Sequence, residues 1–264
     1  MIKYIYEENL KNRPELSKHL VEYNTVFTGV RPTEDRYFYI KENGRLVATI
    51  HASLGWDMIT LEDIYYERIE LLNHLLSAIS KYFKGKASGI LYQGEESKTI
   101  NDFYTIGFLC DGIIEATPLT KKYHYLSNTS FNIKSNLNLE IIESKDKDEL
   151  LYKSQKSIKT SDLIVLAKED GTIIGGVHGE ITSDRIDISL LVVIENFRGK
   201  KIGKKLMELI EEKATEKGVA YVALETCEFQ AKQFYEKLGY RLVATLKDYP
   251  KGYEEYIFAK ELNK

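Results

Sequence analysis

Two cysteines in 264 residues, Cys110 and Cys227, cannot build a disulfide framework, and neither stands in a Cys-x-x-Cys pair that would suggest zinc. A reducing cytoplasm and no bound metal are the expectation. Charge of one sign is not in excess either: 37 Lys and Arg face 40 Asp and Glu, for a net charge of −3. With no polybasic tail, neither a nucleic-acid partner nor a membrane surface is expected. Long hydrophobic runs are also missing. The longest mostly apolar stretch, Ile188-Ser189-Leu190-Leu191-Val192-Val193-Ile194, is far short of a membrane span. The opening Met1-Ile2-Lys3-Tyr4-Ile5-Tyr6-Glu7-Glu8 places charges before any apolar core forms, so it does not read as a signal peptide. What is present is an ordinary globular composition, 43 % apolar and 29 % charged, in a chain long enough for one large domain or two of usual size.

The chain resembles itself. Lys41-Glu42-Asn43-Gly44-Arg45-Leu46-Val47-Ala48-Thr49-Ile50-His51 reads like Lys168-Glu169-Asp170-Gly171-Thr172-Ile173-Ile174-Gly175-Gly176-Val177-His178. Each is a strand, an Asn/Asp-Gly turn and a second strand, a strong hairpin signal. Asp102-Phe103-Tyr104-Thr105-Ile106-Gly107-Phe108 likewise parallels Phe234-Tyr235-Glu236-Lys237-Leu238-Gly239-Tyr240, at a nearly equal offset. The period is about half the chain, which implies two similar domains, 1–130 and 131–264, with a junction in the Asn- and Ser-rich segment from Ser127 to Asn138. Each half reads as a helical region (Pro14 to Tyr23; Asp146 to Ser157), the hairpin, a strand, a helix, a strand (Gly89–Gln93; Ala220–Glu225), a short helix (Lys98–Thr105; Phe229–Leu238) and closing strands. Strand–helix–strand order predicts parallel pairing and a mixed α/β class, each domain a central mixed sheet flanked by helices.

The most telling segment is Arg198-Gly199-Lys200-Lys201-Ile202-Gly203-Lys204-Lys205, between the apolar run and an amphipathic stretch from Ile202 to Lys217. Ile202, Leu206, Leu209, Ile210 and Ala214 recur at helical spacing and predict one buried face. A strand, a basic glycine-containing turn and a helix start together offer unsatisfied N–H donors and positive charge to an anion such as a pyrophosphate. The lysines can also be a plain solvent face; their concentration at the helix start favours phosphate contacts.

This pattern resembles the GNAT superfamily of acetyl-CoA-dependent N-acetyltransferases, whose hallmark is Arg/Gln-x-x-Gly-x-Gly/Ala at a helix start after a strand. Arg198 and Gly203 match; Lys201 replaces the first glycine, which is tolerable if its φ is negative. A second element, Phe229-Gln230-Ala231-Lys232-Gln233-Phe234-Tyr235-Glu236-Lys237-Leu238-Gly239-Tyr240, looks like the family's Ala-x-x-Phe-Tyr-x-x-x-Gly-Phe/Tyr segment. The two motifs span about the last third of the chain. The resemblance implies that acetyl-CoA is held by strand amides at Leu191, Val192 and Val193 and by the cradle Arg198, Gly199, Lys200, Lys201, Ile202, Gly203 and Lys204. It also implies that Tyr235 protonates the leaving thiolate as general acid. Glu228 stands where many members have Asn, which puts that cofactor contact in doubt.

A phenol near its ordinary pKa of about 10 is protonated at neutral pH and can donate to a thiolate; the plain alternative is that Tyr235 is a core aromatic. The base is open. Glu225 and Glu180 are the candidates, with Asp187 beside them, and each can equally be a solvated carboxylate. His178 matches His51 in the repeat, so a shared structural role is expected of it. In the first half, Glu67 falls at the position of Arg198, Leu72 at that of Gly203 and Phe103 at that of Tyr235. A carboxylate repels a pyrophosphate, a bulky side chain blocks it, and the phenol is gone, so this half is expected to be a non-catalytic, substrate-shaping copy. The expected partner is a small-molecule amine or an exposed protein amine, bound by a monomer or homodimer. The competing reading is a non-catalytic acyl-CoA-binding or sensing protein. A nucleotide-binding turn is disfavoured, because no Walker pattern and no acidic residue for a ribose accompany it.

Overall fold

The computed structural model describes residues 1–7, 10–114, 122–144, 160–182 and 184–262. In chain order the elements are β1 (Ile2–Glu7), α1 (Arg13–Thr28), β2 (Glu34–Glu42), β3 (Arg45–Gly55), β4 (Met58–Tyr66), α2 (Ile69–Tyr82), β5 (Gly89–Glu95), α3 (Lys98–Ile106), β6 (Leu109–Ile114), β7 (Tyr123–Asn128) and β8 (Ile142–Ser144). They continue with β9 (Thr160–Glu169), β10 (Thr172–Thr182), β11 (Arg185–Val193), a 3-10 turn (Glu195–Phe197), α4 (Ile202–Glu216), β12 (Tyr221–Cys227), α5 (Lys232–Lys237), β13 (Arg241–Lys247) and β14 (Glu254–Glu261). The expected helix at 146–157 lies outside the described residues.

Two compact units form, each around a seven-stranded sheet. The sheet orders are β1-β9-β10-β11-β12-β14-β13 and β8-β2-β3-β4-β5-β7-β6. Position by position the two orders correspond. The predicted hairpins are present, with Asn43-Gly44 at φ 52° and 78° and Asp170-Gly171 at φ 49° and 86°. Two successive positive φ values give the turn a twist that matches its strands, and Asn-Gly and Asp-Gly adopt it readily. Among the described registers, pairing is antiparallel except at β4–β5 and β11–β12, the pairs bridged by α2 and α4. α4 buries its predicted face, Ile202, Leu206, Ile210 and Ala214, with Leu209 half-buried, and α2 buries Leu72, Leu75, Leu76 and Ile79. The mixed α/β class is as the sequence implied.

The division at residue 130 is corrected. β1 pairs antiparallel with β9, from Ile2↔Glu169 to Glu7↔Ile164, and α1 lies on β10 and β11. Conversely β8 pairs with β2, Tyr37↔Ser144 to Tyr39↔Ile142. The chain's first thirty residues therefore belong with β9–β14, and the outer strand of the β2–β7 sheet comes from beyond residue 130. Local pattern predicts a strand but carries no information about which sheet edge receives it. The segment expected to be a junction is also not a linker. Phe131, Ile133, Leu137, Leu139 and Ile141 pack on the core of the β2–β8 unit. Asn73 Nδ2 donates to the Lys134 carbonyl at 2.7 Å, and His74 Nε2 meets the Leu139 carbonyl at 2.9 Å. Its apolar residues alternate with Asn, Lys and Glu, an extended period hidden by the Asn-rich composition.

In the β9–β14 unit the two sheet faces have different covers. α4 packs over Leu163, Val165, Val177, Ile186 and Ile188, while α1 lays Leu16 against Ile164, Leu166, Leu190 and Val192. Leu16 is fully buried, and a Cβ on Gly176 would lie 2.6 Å from its Cδ1, so glycine is what lets the helix approach. We predict that Leu16→Ala destabilises this unit by about 2–5 kcal/mol in chemical denaturation, as for a buried leucine truncated in a core that relaxes only partly. A loss below about 1 kcal/mol would show that α1 is not integral to it.

Candidate active site

The site begins where two strands part. Parallel pairing of β11 with β12 runs from Arg185↔Tyr221 only to Ile188↔Leu224. Beyond it, Leu190 to Val193 pair on the β10 side alone. The separation coincides with a bulge: His178 faces Leu190 and Gly179 faces Ile188, which leaves Ser189 unpaired in the β10–β11 ladder. An extra residue flips the side-chain alternation that follows. Ile186 and Ile188 therefore point into the α4 core, whereas Leu190 and Val192 point toward α1. Leu191 and Val193 return to the α4 side, and the backbone of this segment is left facing a gap.

Arg198 to Lys204 lies at the end of that segment. The 3-10 turn closes with the Arg198 N–H donating to the Glu195 carbonyl at 3.0 Å. The first hydrogen bond of α4 is from the Lys205 N–H to the Lys201 carbonyl at 3.1 Å. Among the described residues, the N–H groups of Gly199, Lys200, Lys201, Ile202, Gly203 and Lys204 have no backbone acceptor, and no side chain caps the helix. A helix start left open in this way is a pre-formed anion site. Gly199 takes φ 77°, and a Cβ on Gly203 would meet Phe234 Cζ at 3.4 Å and Val193 Cγ2 at 3.6 Å, so a larger side chain there would crowd the cradle. Arg198 has a bracing part: its Nε donates to the Val193 carbonyl at 3.1 Å, and its guanidinium carbon lies 5.2 Å from the centre of the Tyr23 ring.

Lys201 departs from expectation. Its φ is 62° and ψ 13°, the left-handed region, not a negative φ. The turn geometry demands what a glycine would supply, and lysine meets it with strain of about 1 kcal/mol.

α1 supplies one wall, which the sequence gave no sign of. Tyr23 Oη donates to the Phe229 carbonyl at 2.9 Å, Gln230 Nε2 donates to Asn24 Oδ1 at 2.8 Å, and Phe27 stacks on Phe229 with centroids 4.6 Å apart. Glu228 does not reach toward the cradle; its Oε2 accepts the Glu254 N–H at 3.3 Å.

The titratable groups divide by face. Tyr235 sits with Tyr240 and Phe258 in the α4-side core and is 7 % exposed. Among the described residues its hydroxyl has no hydrogen-bond partner, and burial raises its pKa, which keeps the phenol protonated. Glu180, Asp187 and Glu225 occupy the opposite face, Glu180 directly across from Asp187. Glu225 retains solvent access, yet protein surrounds the rest of it. That desolvation, followed by the charge of Asp187 and opposed by Arg185, pushes its carboxyl pKa up to about 7. Asp187 is raised by desolvation too, although Arg185 Nη2 binds it at 2.8 Å. His178, 3 % exposed, has Nε2 2.7 Å from Asp162 Oδ1 and Nδ1 2.6 Å from Ser189 Oγ, and Arg13 Nε donates to the same Nδ1 at 3.3 Å. His51 is held alike between Asp35 at 3.0 Å and Glu62 at 3.4 Å.

The β2–β8 unit has no comparable cradle. Only Glu67 and Arg68 separate β4 from α2. Glu67 is paired with Arg45, and Arg68 with Glu42 at 2.5 Å. Leu72 is fully buried, and Phe103 stacks on Tyr92 with centroids 4.2 Å apart. Replacing the strained lysine offers a direct test of the cradle's backbone. Lys201→Gly is expected to raise unfolding stability by about 0.5–1 kcal/mol, because glycine adopts a positive φ without steric cost. A net loss of stability in denaturant titration would contradict the left-handed assignment.

Residues 131–240 match the family described as the Acetyltransferase (GNAT) family. Blasticidin-S acetyltransferase of Streptomyces morookaense is 37 % identical over 95 residues, covering 36 % of this chain and 70 % of that protein. An acetyltransferase of Agrobacterium fabrum is 29 % identical over 83 residues, 31 % of this chain and 61 % of its own length, so the chain spans less than two thirds of that relative. The crystal structure of an acetyltransferase from Bacillus cereus aligns with 34 % identity and a TM-score of 0.39, over 41 % of this chain and 79 % of that one. The chain is an acetyltransferase and belongs to the GNAT family.

Proposed function

We propose that the β9–β14 unit is an N-acetyltransferase that takes the acetyl group from acetyl-CoA and delivers it to a primary amine by direct attack. The observation that carries this reading is the run of unpaired N–H groups from Gly199 to Lys204, set at the mouth of the β11–β12 gap. Those residues fit a pyrophosphate: the donors are free, the helix start is uncapped, and Lys200, Lys201 and Lys204 add charge. The open β11 edge at Leu191–Val193 fits the amide-bearing arm of the same cofactor. The bound thioester would supply the acetyl group.

The residues of the chain then handle protons. An amine must be neutral to attack. Glu225, with a pKa of about 7, is suited to take its proton near neutral pH, directly or through water, and Glu180 is the weaker candidate. Tyr235, held protonated, would return a proton to the departing thiolate. The acceptor is a small molecule or an exposed protein amine; the similarity to a protein named for blasticidin S favours a small molecule. The matching sheet orders support a duplicated domain whose β2–β8 copy lacks the cradle and is non-catalytic.

Two outcomes are expected. Tyr235→Phe should lower kcat on the order of 10²-fold with little change in CoA affinity, since a leaving-group acid acts in the transition state; an unchanged kcat with a good acceptor makes Tyr235 mere packing. For Glu225 the sign is fixed by its role. A base works deprotonated, so kcat/KM should fall as pH drops through about 7, and Glu225→Gln should remove that limb. A limb that persists unchanged in the variant assigns the base elsewhere.

A further inference from the structure

The face of the β9–β14 sheet that carries Glu225 holds more negative charge than a proton acceptor needs. Glu180 on β10 faces Asp187 on β11, and Asp187 is level with Ala223 on β12, two residues before Glu225. Glu225 faces Ile257 on β14, and Cys227 faces Glu255. Strand alternation thus places Glu180, Asp187, Glu225 and Glu255 on one face, in a diagonal row across four adjacent strands. Like charges on neighbouring strands destabilise a sheet, so such a row opposes folding. Among the cations on this face, Arg185 is bound to Asp187 and Arg13 to His178 beside Asp162. Arg185 also acts on Glu225 through its charge.

Glu255 is the informative member. It is 6 % exposed, and its Oε2 is fully buried with no hydrogen-bond partner; Oε1 has only the Cys227 thiol at 3.9 Å. A buried carboxylate oxygen without a donor opposes folding. Desolvation and the neighbouring Glu225 charge hold its pKa well above the ordinary carboxyl value; by register Glu225 is its diagonal neighbour. The other sheet supplies an internal control. By register, the positions of Glu180, Asp187, Glu225 and Glu255 are occupied there by Ser53, Thr60, Gln93 and Tyr123. The same fold, without the cradle, has no carboxylate in the row. The charge is therefore not a demand of the architecture, and it occurs in the unit that has the phosphate cradle.

We propose that Glu255, with Glu225, forms a second cation subsite, and that the acceptor is an amine carrying a second positively charged nitrogen. This rests on the preceding reading of the unit as an amine acetyltransferase. The reacting nitrogen lies at Glu225, and the second nitrogen supplies the missing donor to Glu255 Oε2. Diagonal positions on paired strands are about 7–8 Å apart, a separation that a short diamine spans. Cys227 lies between them as a neutral thiol, its pKa raised by burial.

The test measures binding apart from turnover. Full-length protein saturated with CoA is titrated calorimetrically with an α,ω-diamine of four to six carbons and with the monoamine of equal length, and acetylation of both is assayed with acetyl-CoA. We expect the diamine to bind at least about tenfold more tightly, a difference of about 1.4 kcal/mol. Glu255→Gln should reduce that preference to less than about threefold. Glu255→Asp, which keeps the charge, should restore part of it, and CoA affinity in each variant reports that the unit is folded. Equal binding of diamine and monoamine by the wild type overturns the proposal, as does a preference that survives Glu255→Gln in a variant that still binds CoA. Diamine-selective binding with no acetylation of any amine would sink the acetyltransferase reading of the unit and leave the subsite standing.

Discussion

Everything at the candidate site depends on a parallel strand pair that comes apart. β11 and β12 hold together for four registered positions, Arg185↔Tyr221 to Ile188↔Leu224, and then diverge. Backbone donors and acceptors left facing a gap need partners, and here the gap opens beside a helix start whose own amides are unsatisfied. The Ser189 bulge determines what lines the opening. It turns Leu190 and Val192 toward α1, where Leu16 covers them, and leaves Asp187 before it on the same face as Glu225. One extra residue in a strand thus sets the open β11 edge, the apolar seat of α1 and the acidic face of the sheet.

The β9–β14 unit is assembled from both ends of the chain. β1 closes the β9 edge of its sheet, and α1 contributes Leu16 to packing and Tyr23, Asn24 and Phe27 to the wall near Phe229 and Gln230. The β2–β7 sheet takes its own outer strand, β8, from the segment preceding β9. If the sheets are copies, each has received the first strand of the other. Such an exchange costs little in pairing energy, because the same antiparallel edge is satisfied either way. It does make residues 131–264 alone an incomplete unit.

Much of this was legible in the sequence, for local reasons. The hairpins followed from Asn43-Gly44 and Asp170-Gly171, and the buried face of α4 from helical spacing. The open helix start lies where glycines and lysines suggested it, and in the other unit Glu67 is paired while Leu72 and Phe103 are buried. The errors concern long-range relations. Which edge β1 joins is decided by a partner more than 150 residues away, so no nearby signal marked it. The segment 131–141 was misread because its Asn content suggested a linker, while its alternating Phe131, Ile133, Leu137, Leu139 and Ile141 showed an extended strip. Lys201 was misjudged because residue identity argued for a negative φ where the turn imposes a positive one. Glu255 could be found only once strand register placed it across from Cys227.

The central claim is that one sheet of the two holds the cofactor, through the amides that begin α4. The most direct measurement is the stoichiometry of CoA binding to the full-length protein by isothermal titration calorimetry, repeated on Gly203→Leu. The account predicts one CoA per chain, with binding abolished in the variant while its unfolding transition is retained. Two CoA molecules per chain, no CoA bound by the wild type, or a Gly203→Leu protein that binds as well as the wild type would contradict it.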